Sequence, residues 1–140
     1  MLLGIDRLLT PDLLYSLASM GHGDRIAIVD ANFPGASCNA RVHYLAGVNA
    51  AVVLQAVLSV LPLDAFIPDP AVTMQVVGDA AAVPEAVAEF GRILQAHGGN
   101  ASGSVERFAF YALAKSSYAI VQTGEARLYG NIILSKGVIR

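Results

Sequence analysis

Thr10-Pro11-Asp12-Leu13-Leu14-Tyr15-Ser16-Leu17-Ala18-Ser19-Met20-Gly21-His22-Gly23-Asp24-Arg25-Ile26-Ala27-Ile28-Val29-Asp30 is the stretch that decides how the chain is read. Thr10 offers a capping hydroxyl, Pro11 a preset first helical position and Asp12 an acid in the first turn, so a helix starts here. Leu13, Leu14, Leu17 and Met20 follow at helical spacing, and Gly21 suits the C-terminal cap. Residues 25–30 then read as a buried strand. The rest of the chain keeps up this alternation of helix and strand, which argues for an α/β layered sheet.

Outward from that unit, residues 32–35 (Asn-Phe-Pro-Gly) make a turn and residues 42–45 a short strand. Residues 49–61 are apolar almost all round, which predicts a buried or interface helix. A proline-punctuated loop covers 64–70, and a strand over 72–77 is closed by Gly78-Asp79. A helix over 84–96 carries Val87, Phe90 and Leu94 on one face and ends at His97-Gly98-Gly99. Residues 104–116 are expected to form a helix with Phe108, Tyr111 and Leu113 inward. Strands at 119–123 and 131–134 complete the pattern. There is no internal repeat, linker or low-complexity tract.

The chain has 140 residues, enough for one domain with a real core. Charged residues make up only 14%, against a typical ~25%, while 55% of residues are hydrophobic. A monomer so poor in charge would expose apolar surface, so an obligate oligomer with sizeable apolar interfaces is expected. The net charge of −2 offers nucleic acid no basic face. The most apolar run, residues 48–63, is interrupted and shorter than the ~20 residues of a membrane span. Cys38 is the only cysteine, which excludes an intrachain disulfide and suits a reducing compartment. The N-terminal residues lack a signal-peptide pattern, and a cytoplasmic protein is expected.

Several chemistries fall away. Gly21-x-Gly23 lacks the third glycine of a dinucleotide fingerprint and follows a helix rather than a strand. No phosphate loop and no Gly-x-Ser-x-Gly elbow occurs. His22, His43 and His97 are scattered, with no paired cysteines, which argues against a metal site.

Four groups survive. His22 stands between two glycines at a helix end, where it reads equally as a partner of the macrodipole or as an acid–base group active near neutral pH. Asp30 closes the first strand; it could face one cleft with His22 or simply bond the amides of the next turn. Arg107 falls in the first turn of its helix, against the macrodipole, which points to a partner anion or a polar ligand. Tyr129-Gly130-Asn131 is a turn into the last strand. Phe108, Phe110 and Tyr111 read mainly as core.

Taken in order, Gly21-His22-Gly23-Asp24, Asp30-Ala31-Asn32-Phe33-Pro34, Arg107-Phe108-Ala109-Phe110-Tyr111, Thr123-Gly124-Glu125 and Tyr129-Gly130-Asn131-Ile132-Ile133-Leu134-x-Lys136-Gly137-Val138 resemble the ribose pyranase/fucose mutarotase family. The resemblance runs from Ile5 to Val138, and the Arg107 and Tyr129 motifs resemble its fucose mutarotase branch. Asn32 departs from the histidine often found there in that branch, and the segment Gly35-Ala36-Ser37-Cys38-Asn39 differs from its loop. The resemblance implies a single three-layer α/β/α domain over residues 1–140 with a central, largely parallel sheet. It implies ring-shaped homo-oligomers, often decamers, with sites near subunit contacts. The activity implied is cofactor-free interconversion of sugar anomers, with His22 as proton donor, Asp30 and Arg107 binding substrate, and Tyr129, Gly130 and Asn131 completing the sugar site.

The residue types suit that chemistry. Mutarotation opens a hemiacetal and recloses it on the other carbonyl face, and an imidazole serves both directions of such a reversible proton transfer. The competing readings are a ribose pyranase and a non-catalytic sugar-binding oligomer of the same fold.

Overall fold

A computed structural model describes residues 1–140. Its elements in chain order are α1 (Pro11–Ser19), β1 (Arg25–Val29), α2 (Gly35–Cys38), β2 (Val42–Leu45), α3 (Ala50–Leu58), β3 (Ala71–Met74), α4 (Glu85–Ala96), β4 (Gly103–Val105), α5 (Arg107–Ser116), β5 (Ala119–Thr123) and β6 (Ile132–Ser135). The six strands form one sheet in the order β2-β5-β1-β6-β3-β4. β1, β2 and β5 run parallel, as do β3 and β4, and β6 lies antiparallel between β1 and β3. All strands except β6 therefore share one direction, which places their carboxyl ends along a single edge.

Alternation along β1 splits the core into two layers. Ile26 and Ile28 belong to the larger cluster, with Leu13 and Leu17 of α1, Val53 and Leu54 of α3 and Phe90 and Leu94 of α4. Ala27 and Val29 belong to the smaller one, with Phe33, Phe110 and Ala114. The sheet is thus covered on both faces, as a parallel sheet requires, giving the expected three-layer α/β/α arrangement. No helix is long and apolar enough to cross a membrane.

Caps set most boundaries. Thr10 Oγ1 accepts the Leu13 N–H at 3.3 Å, and Asn49 Oδ1 accepts the Val52 N–H at 3.0 Å. At the other end of α1 the sequence expectation changes. Met20 leaves the helix in extended geometry, and the left-handed turn falls on Gly23, φ 86°, rather than on Gly21. The final carbonyls of α1 go to Lys136, whose Nζ donates to Leu17 O at 2.7 Å and Met20 O at 2.6 Å. A lysine just past the last strand thus complements the helix dipole, and His22 is left free for other work.

The expected helix over 104–116 is a short strand followed by a shorter helix. The Glu106 carboxylate accepts the N–H groups of Phe108 and Ala109 at 3.0 and 2.6 Å, so α5 starts only at Arg107. Its buried stripe is Phe110 and Ala114, one turn apart, while Phe108 is 68% exposed. The expectation that Phe108 points inward fails for that reason. Gly35, read as the end of a turn, instead opens the one-turn helix α2.

Candidate active site

The carboxyl edge of the sheet carries a cleft of about 220 Å³, a position where open α/β sheets commonly bind ligands. Asp30 at the end of β1, Met74 at the end of β3, Arg107 and Tyr111 on α5, and Tyr129 and Asn131 ahead of β6 line it, with Asn32 at its rim. Asp30 and Asn131, 101 positions apart in the chain, hold each other reciprocally. The Asp30 N–H donates to Asn131 Oδ1 at 2.8 Å, and Asn131 Nδ2 donates to Asp30 Oδ2 at 3.1 Å. The Asn32 N–H donates to Asp30 Oδ1 at 3.0 Å. Asp30 is only 7% exposed, and burial pushes its carboxyl above the ordinary range, against the pull of the Asn32 and Asn131 bonds.

The turn before β6 is shaped by two residues. Tyr129 adopts φ 60°, uncommon for a non-glycine. Its carbonyl accepts the Asn131 N–H at 2.8 Å and its hydroxyl accepts the Val77 N–H at 3.2 Å, which pins the turn to the loop after β3. Gly130 is buried and does not line the cleft. A Cβ there would meet Glu125 Cγ at 2.6 Å, so the absence of a side chain lets the turn close down on Glu125.

Arg107 Nε donates to the Tyr111 hydroxyl at 3.0 Å, and the guanidinium carbon lies 5.3 Å from that ring's centroid. The Arg107 side chain forms no ion pair, unlike Arg127. Its terminal N–H groups are available to a ligand in the cleft. Tyr111, read from the sequence as core, is a wall of this cleft and orients Arg107; Phe33 packs edge-on against its ring at 5.3 Å.

His22 is elsewhere. It precedes β1 whereas Asp30 follows it, so roughly 16 Å of strand separates the two. They do not face one cleft within a chain, which corrects that sequence expectation. His22 Nε2 instead lies 3.1 Å from Asp64 Oδ1, and its ring sits 5.5 Å from that of Phe66. Asp64 is 4% exposed and also accepts the Phe66 N–H at 3.0 Å. That N–H bond, and then His22, hold the Asp64 carboxyl below its usual range. The His22 side chain remains 46% exposed, an oriented imidazole with one face open. Asp64 carried no signal in the sequence beyond its place in a proline-rich loop.

The other histidines are engaged separately. His43 Nε2 lies 2.8 Å from Ser16 Oγ and His97 Nδ1 3.0 Å from its own helix carbonyl at Ile93. No three His, Cys, Asp or Glu side chains converge as a metal site would need. The chain therefore presents a polar cleft at one edge of the sheet and a carboxylate-oriented imidazole at the other.

Comparison with known proteins places these features in context. A family model described as the RbsD / FucU transport protein family matches residues 3–139. Human fucose mutarotase is 42% identical over 143 aligned positions, covering 97% of this chain and 93% of the human protein. The fucose mutarotase of Streptococcus pneumoniae, solved in complex with L-fucose, superposes with a TM-score of 0.93 at 38% identity over 99% of this chain and all of that one. The Bacillus subtilis RbsD, solved with D-ribose, has a TM-score of 0.77 and 20% identity over 94% of this chain and 95% of its own, and shares the fold.

Proposed function

The chain belongs to the RbsD / FucU family, and on that premise we propose that it interconverts the α and β anomers of L-fucose by acid–base ring opening and reclosure. The observation that carries the reading is full-length similarity to fucose mutarotases, together with a cleft whose polar walls suit a sugar. Asp30 accepts hydrogen bonds from sugar hydroxyls, Asn131 both donates and accepts, and the free guanidinium edge of Arg107 donates. Tyr129 supplies an aromatic face and a phenol beside the Gly130 turn. His22 carries the proton. With Nε2–H donated to Asp64, Nδ1 is the nitrogen left to exchange a proton with the ring oxygen. The imidazole delivers that proton to the ring oxygen on opening while the anomeric hydroxyl gives up its own proton to water, and both transfers reverse on closure.

In this reading His22 of one subunit serves the Asp30 cleft of the next. A chain that holds binder and proton donor at opposite edges completes a site by head-to-tail contact, and head-to-tail contacts close into rings. Exposed apolar side chains flank both half-sites, Phe66 beside His22 and Val77 and Leu128 at the cleft. We place the chain in a ring-shaped homo-oligomer, a decamer, in the cytoplasm; the single free Cys38 suits that compartment.

Two-dimensional exchange NMR on L-fucose tests the function. Cross-peaks between α and β anomers that grow with enzyme concentration are expected. Binding without exchange above the buffer rate identifies a sugar-binding oligomer instead, and faster pyranose–furanose exchange on D-ribose than anomer exchange on fucose identifies a ribose pyranase.

A further inference from the structure

Behind the cleft, and outside its walls, lies a charged cluster that sugar binding does not use. Glu125 follows β5 and is 3% exposed. Arg127 grips both its carboxylate oxygens, Nε at 3.1 Å and Nη2 at 2.8 Å, and adds its own backbone N–H at 3.1 Å. The Ala50 N–H, at the amino end of α3, favours the ionised form of the same carboxylate. Arg127 Nη2 reaches on to Glu89 at 2.8 Å and Nη1 lies 3.8 Å from Glu85, which ties the loop to α4. Two contacts run forward from Glu125 into the cleft. Its carbonyl accepts the Ala31 N–H at 2.9 Å, one residue past Asp30. Its Cγ occupies the space a side chain at Gly130 would need.

We propose that Glu125 is the positioning residue of the cleft: clamped to α4 by Arg127, it fixes Ala31 and Gly130, hence Asp30 and Asn131, and places its negative charge behind Asp30. This inference rests on the reading of Asp30 as a sugar ligand. The groups around Asp30 are few. Arg107 and the hydroxyls of Tyr111 and Tyr129 face it across the cleft, α2 contributes only Cys38, and β3, β5 and β6 contribute no charge beside it. Glu125 is the carboxylate whose charge adds to the effect of burial on Asp30.

The test is Glu125→Gln, which keeps an acceptor for Arg127 while removing the charge. The Asp30 carboxyl is followed by carbon NMR, and the KM for L-fucose is followed against pH. We expect the Asp30 titration to move to lower pH and the acid limb of KM to move with it. An unmoved Asp30 titration in a folded Glu125→Gln oligomer overturns the proposal. A shifted titration with an unshifted KM limb supports the role of Glu125 and overturns instead the reading of Asp30 as a ligand. Gly130→Ala gives a second route that does not alter the charge. It should raise KM by on the order of 10²-fold, because small displacements of binding groups are costly. In Glu125→Ala/Gly130→Ala the two losses should combine to less than their product, as for residues in contact. A native KM in Gly130→Ala, or strictly multiplicative losses, overturns the proposal.

Discussion

The two edges of the sheet are built in opposite styles. At the carboxyl edge the polar groups hold one another in place: Asp30 and Asn131 are bonded reciprocally, Tyr129 is tied to the loop after β3, and Arg107 is held by Tyr111 with its outer guanidinium free. At the amino edge a single imidazole stands half open, held by one carboxylate. The first style gives shape and selectivity, because a prearranged polar surface penalises any ligand that leaves its groups unpaired. In the proposed mechanism the second serves proton transfer, which needs access more than complementarity.

The largest effect should come from removing the acid. His22→Ala is expected to lower anomer exchange by ~10²–10⁴-fold in a folded oligomer, measured by exchange NMR. Native exchange in that variant would break the contrast drawn between the edges. Reassembling His22→Ala chains with Asp30→Asn chains should restore exchange, since mixed interfaces regain an intact pair of half-sites; no recovery would place both halves of the site in one chain. Next comes Asp64→Asn, which frees the imidazole to turn. A loss of up to about 10²-fold in kcat with little change in KM is expected, and a rise in KM alone would move Asp64 to the binding side. Asn131→Ala should do the reverse, weakening fucose binding and lowering stability by about 1–3 kcal/mol as buried groups on Asp30 lose their partner; calorimetry with and without sugar separates the two.

The smallest effect is in pH. Burial raises the Asp30 carboxyl, so its ionised form, the better acceptor for sugar hydroxyls, is lost as pH falls through a value above the ordinary carboxylate range. Fucose affinity should fade first on acidification. Asp64 and Glu125 are shifted the other way, so the stability they contribute is present above their unfolded values and lost only as pH falls through their depressed folded ones. Binding should therefore fail at a higher pH than folding does. Melting temperature and fucose affinity falling together on one pH scale would contradict this order.

Much of this was legible in the sequence, and the parts that were not share a cause. The helix and strand around Gly21, the two-faced burial of β1 and the company of Asp30, Arg107, Tyr129 and Asn131 follow from periodicity, caps and a set of motifs in fixed order. What the sequence could not carry is direction and distance. His22 and Asp30 look like neighbours along the chain, yet a strand lies between them. Asp64 lies 42 positions from His22 and meets it only because the loop before β3 returns to the amino edge. Tyr111 and Phe110 are adjacent, and which of them turns inward depends on where Glu106 starts the helix.

β6 has one more consequence. Its four residues, Ile132–Ser135, lie between β1 and β3, so without them the sheet is two unconnected pieces. A ribosome makes that strand after the other ten elements of the fold. Until residues 132–135 leave the exit tunnel, the three-stranded and two-stranded fragments keep open edges facing each other, and Asp30 waits for Asn131. Synthesis is thereby ordered so that a nascent chain stalled before its last strand cannot form the cleft. In each molecule the cleft closes only after the strand that joins the two fragments.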